Sequence, residues 1–228
     1  GLMSVIDSFK PATLRAYYHK WYRPDNQAIL VVGDIEVDKV EQKIKDLFSP
    51  IKMPANPAPV VVEAVPDNAE PLISIQHDKE QTRSMLMLML KHDALPRESR
   101  GSMLKVLNDY ANEAISSMFS ERIQEILQKP NPPFMFAQMA DDEFFVAKTK
   151  DALTGVTAFN DNGQDAALSA LYREMLRAAR YGFTVGEYER FKQEYLSQLE
   201  DRYSKKDKVY TNNYVNQCVR HFLDGNAM

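Results

Sequence analysis

The stretch YYHKWYRPDNQAILVVGDIEVDKVEQKIKDLF, Tyr17 to Phe48, reads as helix, strand, helix. Leu14, Tyr17, Tyr18, Trp21 and Tyr22 recur at helical spacing. Pro11 and Thr13 suit the start of that helix, because proline is tolerated in a first turn and threonine caps one. Pro24 stops it, since proline disfavours helical geometry in the residue before it. Ala28–Val32 is apolar throughout and ends at Gly33, which predicts a strand buried on both faces. Asp34 is placed to cap the next helix, from about Glu36 to Phe48, with Val37, Val40, Ile44, Leu47 and Phe48 on one side.

Beyond Phe48 the composition changes. Pro50, Pro54, Pro57, Pro59 and Pro66 fall close together, a density that favours an extended connector over a packed element. Leu72–Ile75 and Ser84–Leu90 then read as strands, the second through its short length and the preceding turn Asp78-Lys79-Glu80-Gln81. A long helix is predicted from about Arg97 to Gln128, with Met103, Leu107, Tyr110, Ala114, Met118 and Ile126 on its apolar face and a gap near Arg122. Phe134–Met139 and about Phe144–Phe159 supply two or three strands around an acidic turn, Asp141-Asp142-Glu143. After the turn Asn160–Gly163, a helix is expected to bury Ala167, Leu168, Leu171, Met175 and Ala178, and to stop at Gly182 in a left-handed C′ position. Thr184-x-x-Glu187 is a capping box for the next helix, to about Tyr203, and another runs to about Leu223. Strands grouped before runs of helices predict an α+β fold, a mixed or largely antiparallel sheet with helices mainly on one face.

Composition excludes several functions. The 228 residues are 44% hydrophobic and 26% charged, with a formal net charge of −4 and a pI near 5.7. No dense basic stripe is present, which argues against nucleic acid as a partner. No apolar run reaches the ~18 residues of a membrane span. A charged start followed by an apolar run, the mark of a signal peptide, is missing from the N-terminus. The single cysteine, Cys218, excludes an internal disulfide.

The chemical candidates are few. The histidines, His19, His77, His92 and His221, form no local ligand pair. His77-x-x-Glu80 begins like a zinc helix, but Gln81 stands where a second histidine would be needed and the segment falls at a turn. Gly33 lacks the further glycines that a pyrophosphate-binding loop requires. Cys218 has His221 on the neighbouring helical turn, yet nothing else supplies the electropositive setting of a reactive thiolate. Asp141-Asp142-Glu143 could attract a cation but reads better as a solvated turn.

The Tyr17–Phe48 order, Arg122–Leu127, the PPF at 132–134, Lys148–Ala152 and the junction Tyr181-Gly182-Phe183-Thr184-x-x-Glu187-Tyr188-x-x-x-Lys192 stand in a recognisable order. Together they resemble the pitrilysin/insulinase-type (inverzincin) zinc metallopeptidases over nearly the whole chain. The resemblance implies LuxS/insulinase-like half-domains: residues 1–48 closing a catalytic domain, 49–69 a proline-rich linker, and 70–228 opening a non-catalytic second domain. It also implies a clam-shell chamber for peptides, with zinc held by an H-x-x-E-H motif that this chain does not contain. A substrate-binding arginine and tyrosine, about seven residues apart, follow a long helix in the other half of such proteins. Gln128 stands here for the arginine, and Phe134 or Met135 for the tyrosine.

The resemblance therefore implies a non-catalytic portion of a bacterial metalloendopeptidase, periplasmic or exported in the parent, forming chamber wall and linker. No catalytic or metal-binding residue is assigned in this chain, and its substrate-binding residues stay unassigned. Zinc is expected only in the full-length parent. The implied partners are the remaining domains of that parent and peptide substrates. An inactive scaffold or peptide-binding subunit of the same fold is the alternative. Half-domains without their usual neighbours expose apolar surface, so residues 12–48 are expected to dock against residues 70–228, within one chain or by exchange in a homodimer.

Overall fold

A computed structural model describes residues 2–228. Among the described residues the order is α1 (Met3–Ser8), α2 (Pro11–Trp21), α3 (Val37–Phe48), β1 (Ser84–Asp93), α4 (Met103–Leu127), β2 (Phe136–Glu143), β3 (Lys150–Phe159), α5 (Gln164–Tyr181), α6 (Val185–Ser204) and α7 (Thr211–Asp224). Two units form. One holds the chain up to Val61 together with Val209–Met228, and the other holds Val62–Lys208.

In the Val62–Lys208 unit the strands make one antiparallel sheet in the order β1-β3-β2. The run SMLMLML divides by strand alternation. Leu86 and Leu88 pack against the helical side of the core, while Met85 and Met87 stay about half exposed. Opposite Leu86 and Leu88 in register lie Thr157 and Gly155, then Ala137 and Met139. Helices α4 and α5 cover this face through Phe119, Ile123, Ala167, Leu171 and Met175, so the sheet is antiparallel and helix-covered as α+β grouping predicts. Gly155 permits the close approach: a β-carbon there would lie 2.8 Å from the Met175 sulfur. A smaller cluster joins Ala114 and Met118 of α4 to Phe191 of α6.

The gap in the apolar face of α4 is filled by an ion pair. Arg122 is only 4% exposed. Its guanidinium donates to both carboxylate oxygens of Glu187, the Nη2 bond measuring 2.9 Å, and also to the Gly182 carbonyl at 3.0 Å. Its Cζ lies over the Phe183 ring, 4.4 Å from the ring centre. Glu187 also closes the expected capping box, accepting from the Thr184 backbone N–H at 2.6 Å. Gly182 has φ 66° and ψ −152°, positive as predicted but outside the left-handed helical region, in a conformation essentially confined to glycine.

Several expectations fail. Leu72–Ile75 is not a strand, and Leu72, Ile73 and Ile75 are at least 80% exposed. The long helix begins at Met103 rather than Arg97, because Ser102 caps it by accepting the Leu104 N–H at 3.2 Å. Met103 and Leu107 remain exposed, as does Leu168 of α5. Asp141-Asp142-Glu143 lies inside β2, paired with β3, and the reversal falls after it.

In the other unit Arg23 alone reaches full burial among the described residues. It fastens the Arg23–Asn26 turn, donating to Asp25 at 2.8 Å, to the Lys20 carbonyl at 3.2 Å and to the Ala58 carbonyl. Ala28–Val32 is not a strand: it pairs with no ladder, and Ile29, Leu30 and Val31 are exposed. Asp34 does not cap α3, whose N-cap is Glu36 with no side-chain cap bond. The short helix α1 was not expected from the sequence.

Hydrogen bonds from Arg122 chiefly hold the Glu187 carboxyl at about 2, against an ordinary 4.5. A lowered folded value stabilises the fold above the ordinary value, and that stabilisation is lost as pH falls through 4.5 towards 2. Chemical denaturation should therefore show a fall over that window that is smaller in Glu187→Gln. Arg122→Ala should cost about 3–5 kcal/mol at neutral pH, because it strands a carboxylate in the protein.

Candidate substrate-contact site

The C-terminal end of α4 leads into the segment where the resemblance places substrate-binding positions. The helix ends at Leu127, and Lys129 donates to the Ile126 carbonyl at 3.1 Å. Pro130 and Pro132 prevent its continuation. Asn131 between them takes a left-handed φ of 53°, a conformation that asparagine tolerates. The Met135 N–H then donates to the Ala158 carbonyl at 2.8 Å, fixing the segment to the end of β3. The result is a shallow, open depression of about 670 Å³ lined by Leu127, Asn131, Pro132, Phe134, Met135 and Asn160.

The two candidates for the tyrosine position separate here. Phe134 is 2% exposed and belongs to the main core, whereas Met135 is 41% exposed on the surface of the depression. Gln128 is exposed but does not line it. The lining carries two amides and no ionisable side chain. It can accept apolar and amide contacts, and it has no group to move a proton or to anchor a carboxylate.

The remaining candidates are dispersed. His19 lies edge-on to Tyr18 at 5.8 Å on α2. His77 is exposed in the approach to β1, beside a turn in which Glu80 N–H donates to Asp78 at 2.8 Å. His221 is engaged through Nδ1 with the Asn226 carbonyl at 2.7 Å, and Cys218 is half-buried on α7. A β-carbon at Gly33 would meet only Ile35 at 3.9 Å, so no tight cradle surrounds it. His92 meets Asp141 at 2.8 Å, a pairing across two strands that no local motif could reveal. Among the described residues no group of three or more His, Cys, Asp or Glu side chains could hold a metal ion, so the donors present do not fit a zinc.

Residues 8–195 match the model of the peptidase M16 inactive domain. The chain belongs to the M16 peptidase family. It is 29% identical over 203 residues to a protein described as probable zinc protease PqqL of Escherichia coli K12, covering 88% of this chain and 21% of the relative. It is 25% identical over 228 residues to a zinc protease PQQL-like protein of Arabidopsis thaliana, covering 98% of this chain and 20% of the relative. The chain thus spans about a fifth of the length of these curated relatives. Among solved structures, the periplasmic protease PqqL from Escherichia coli matches with a TM-score of 0.69 and 22% identity, over 100% of this chain and 25% of that one. A predicted insulinase family protease from Yersinia pestis matches with a TM-score of 0.73 and 19% identity, over 96% of this chain and 47% of that one. Those two likenesses carry the fold, and the fold agrees with the insulinase-like half-domains expected from the sequence.

Burial predicts different costs for the two neighbours in the depression. Phe134→Ala should destabilise the chain by about 3–5 kcal/mol, since it empties a core position. Met135→Ala should stay within about 1 kcal/mol of wild type, since much of that side chain is already solvated. Paired urea melts would separate them.

Proposed function

We propose that this chain is the non-catalytic portion of a zinc metalloendopeptidase, contributing wall and linker to an enclosed chamber that receives peptides. The observation that carries the reading is the match of residues 8–195 to the M16 inactive domain, in a chain whose described residues assemble no zinc donor set. The state of the first unit supports it. Its helices α2 and α3 and the Ala28–Val32 segment leave apolar side chains exposed, as expected of surfaces that neighbouring parts of a parent chain would cover. In this reading residues 1–48 close the catalytic domain, 49–69 link, and 70–228 open the second domain. The zinc, its ligands and the water-activating glutamate belong to the rest of the parent. An exported or periplasmic location rests on the relative from Escherichia coli, which is described as periplasmic.

The chain alone, dialysed after purification, should retain far less than one zinc per molecule and should not cleave a fluorogenic peptide. Stoichiometric zinc by metal analysis, or turnover abolished by a chelator, would overturn the assignment.

A further inference from the structure

The sheet of the Val62–Lys208 unit ends in a cluster of charges that neither the M16 match nor the proposed role accounts for. His92, near the end of β1, reaches past β3 to Asp141 on β2, Nε2 to Oδ1 at 2.8 Å. Its other ring nitrogen, Nδ1, lies 3.1 Å from the Asp93 carbonyl oxygen. Both partners are acceptors. A neutral imidazole carries one N–H and can satisfy only one of them, while the imidazolium satisfies both. Strands β1 and β2 share no backbone ladder, because β3 lies between them, so this side-chain tie joins the two edges directly.

The other face of the same end, that of Lys91, Asp93 and Lys150, holds residues 65–67. The Val65 N–H donates to Thr149 Oγ1 at 3.1 Å, and Lys91 donates to the Pro66 carbonyl at 2.7 Å. Lys150 bridges Asp67 and Asp93, at 2.7 Å to each. Ala94 N–H donates to the Thr149 carbonyl at 3.2 Å. We propose that His92 and Asp141 form a proton-dependent clasp that ties β1 to β2 across one face of this end of the sheet.

The charges facing the clasp give it a direction. Lys91 and Asp93 flank His92 on β1 but point to the other face of the sheet. Asp151 lies opposite it on β3, beside Lys150. Strand β2 supplies Asp141 and Glu143, the latter 3.8 Å from Lys148, while Asp142 accepts the Glu143 N–H at 2.8 Å. Asp67, bound to Lys150, lies with Lys91 and Asp93 on the other face. On the face of the clasp the carboxylates Asp141, Asp151 and Glu143 outnumber Lys148, so loss of the His92 proton removes a positive charge from an acid-rich surface. The hydrogen bond to Asp141 is the main cause that raises His92 above its ordinary 6.5, against partial burial, which lowers it. A raised folded value means the clasp is complete below 6.5 and is lost as pH rises through the folded value.

The test uses the whole chain, as wild type, Asp141→Asn and His92→Gln, with each variant's fold checked by circular dichroism. Imidazole ¹⁵N titration should show His92 protonated on both nitrogens in mildly acid solution, with a midpoint above that in Asp141→Asn. Hydrogen exchange, corrected for intrinsic rates, should show protection at Ala94, next to the tied end of β1, falling about two- to fivefold between roughly pH 5 and pH 8, the scale of an exposed ion pair. That fall should be absent in His92→Gln. A midpoint unmoved in Asp141→Asn, pH-independent protection in wild type, or the same fall in His92→Gln would overturn the proposal. If either variant misfolds, a wild-type His92 that is singly protonated in mild acid would overturn it alone.

Discussion

One guanidinium organises the helical layer of this protein. Arg122 is surrounded on α4 by Phe119, Ile123 and the core they enter, where an unpaired charge would be costly. The Gly182–Glu187 junction supplies its partners: the Gly182 carbonyl, the Phe183 ring and both Glu187 carboxylate oxygens. The same carboxylate caps α6. A local capping motif and a long-range ion pair therefore share one side chain, and the start of α6 cannot move without disturbing α4. A buried pair of this kind contributes little net energy against a well-packed apolar substitute, but it penalises every arrangement in which the charges separate. The α5–α6 junction is thus selected by charge as well as by packing.

With that junction held, the remaining layer depends on close approach. Gly155 lets α5 settle on β3, and Leu171 and Met175 fill the space that a side chain there would occupy. Thr157, fully buried, donates to the Phe136 carbonyl at 2.9 Å, so its hydroxyl is satisfied inside the sheet. The Val62–Lys208 unit has what an independent core needs: apolar side chains excluded from water on one sheet face, and buried polar side chains such as Thr157 and Arg122 that hydrogen-bond, with only Arg122 Nη1 left without a partner among the described residues.

The other unit lacks these features. Its one fully buried residue among those described is an arginine whose partners are a nearby carboxylate and two backbone carbonyls. Tyr17, Tyr18 and Tyr22 are each more than half exposed, although Tyr18 and Tyr22 stack at 4.7 Å. Amphipathic helices stabilise a fold when their apolar faces are buried. This physical difference between the units agrees with the proposed role, in which neighbouring parts of a parent chain cover the first one.

Local order was legible in the residues themselves. Proline at 24, the Thr184–Glu187 capping box, the positive φ of Gly182 and the period of Ala167, Leu171 and Met175 act over a few positions, so their effect can be read from spacing. The β1 run was legible as a strand, and the alternation of leucine with methionine contained the division between its two faces. Tertiary structure alone decided whether an extended apolar segment found a ladder. Ala28–Val32 and Leu72–Ile75 have strand-like composition, but strand pairing depends on a neighbour that composition does not specify. It also decided that Asp141-Asp142-Glu143 would lie within β2, that Phe134 would enter the core while Met135 stayed outside, and that Arg122 and His92 would meet carboxylates 65 and 49 residues away. The sequence by itself determined elements whose causes are local, and the family whose motifs it carries. The packed chain determined which side chains share a site, because those contacts depend on register and on the approach of distant segments.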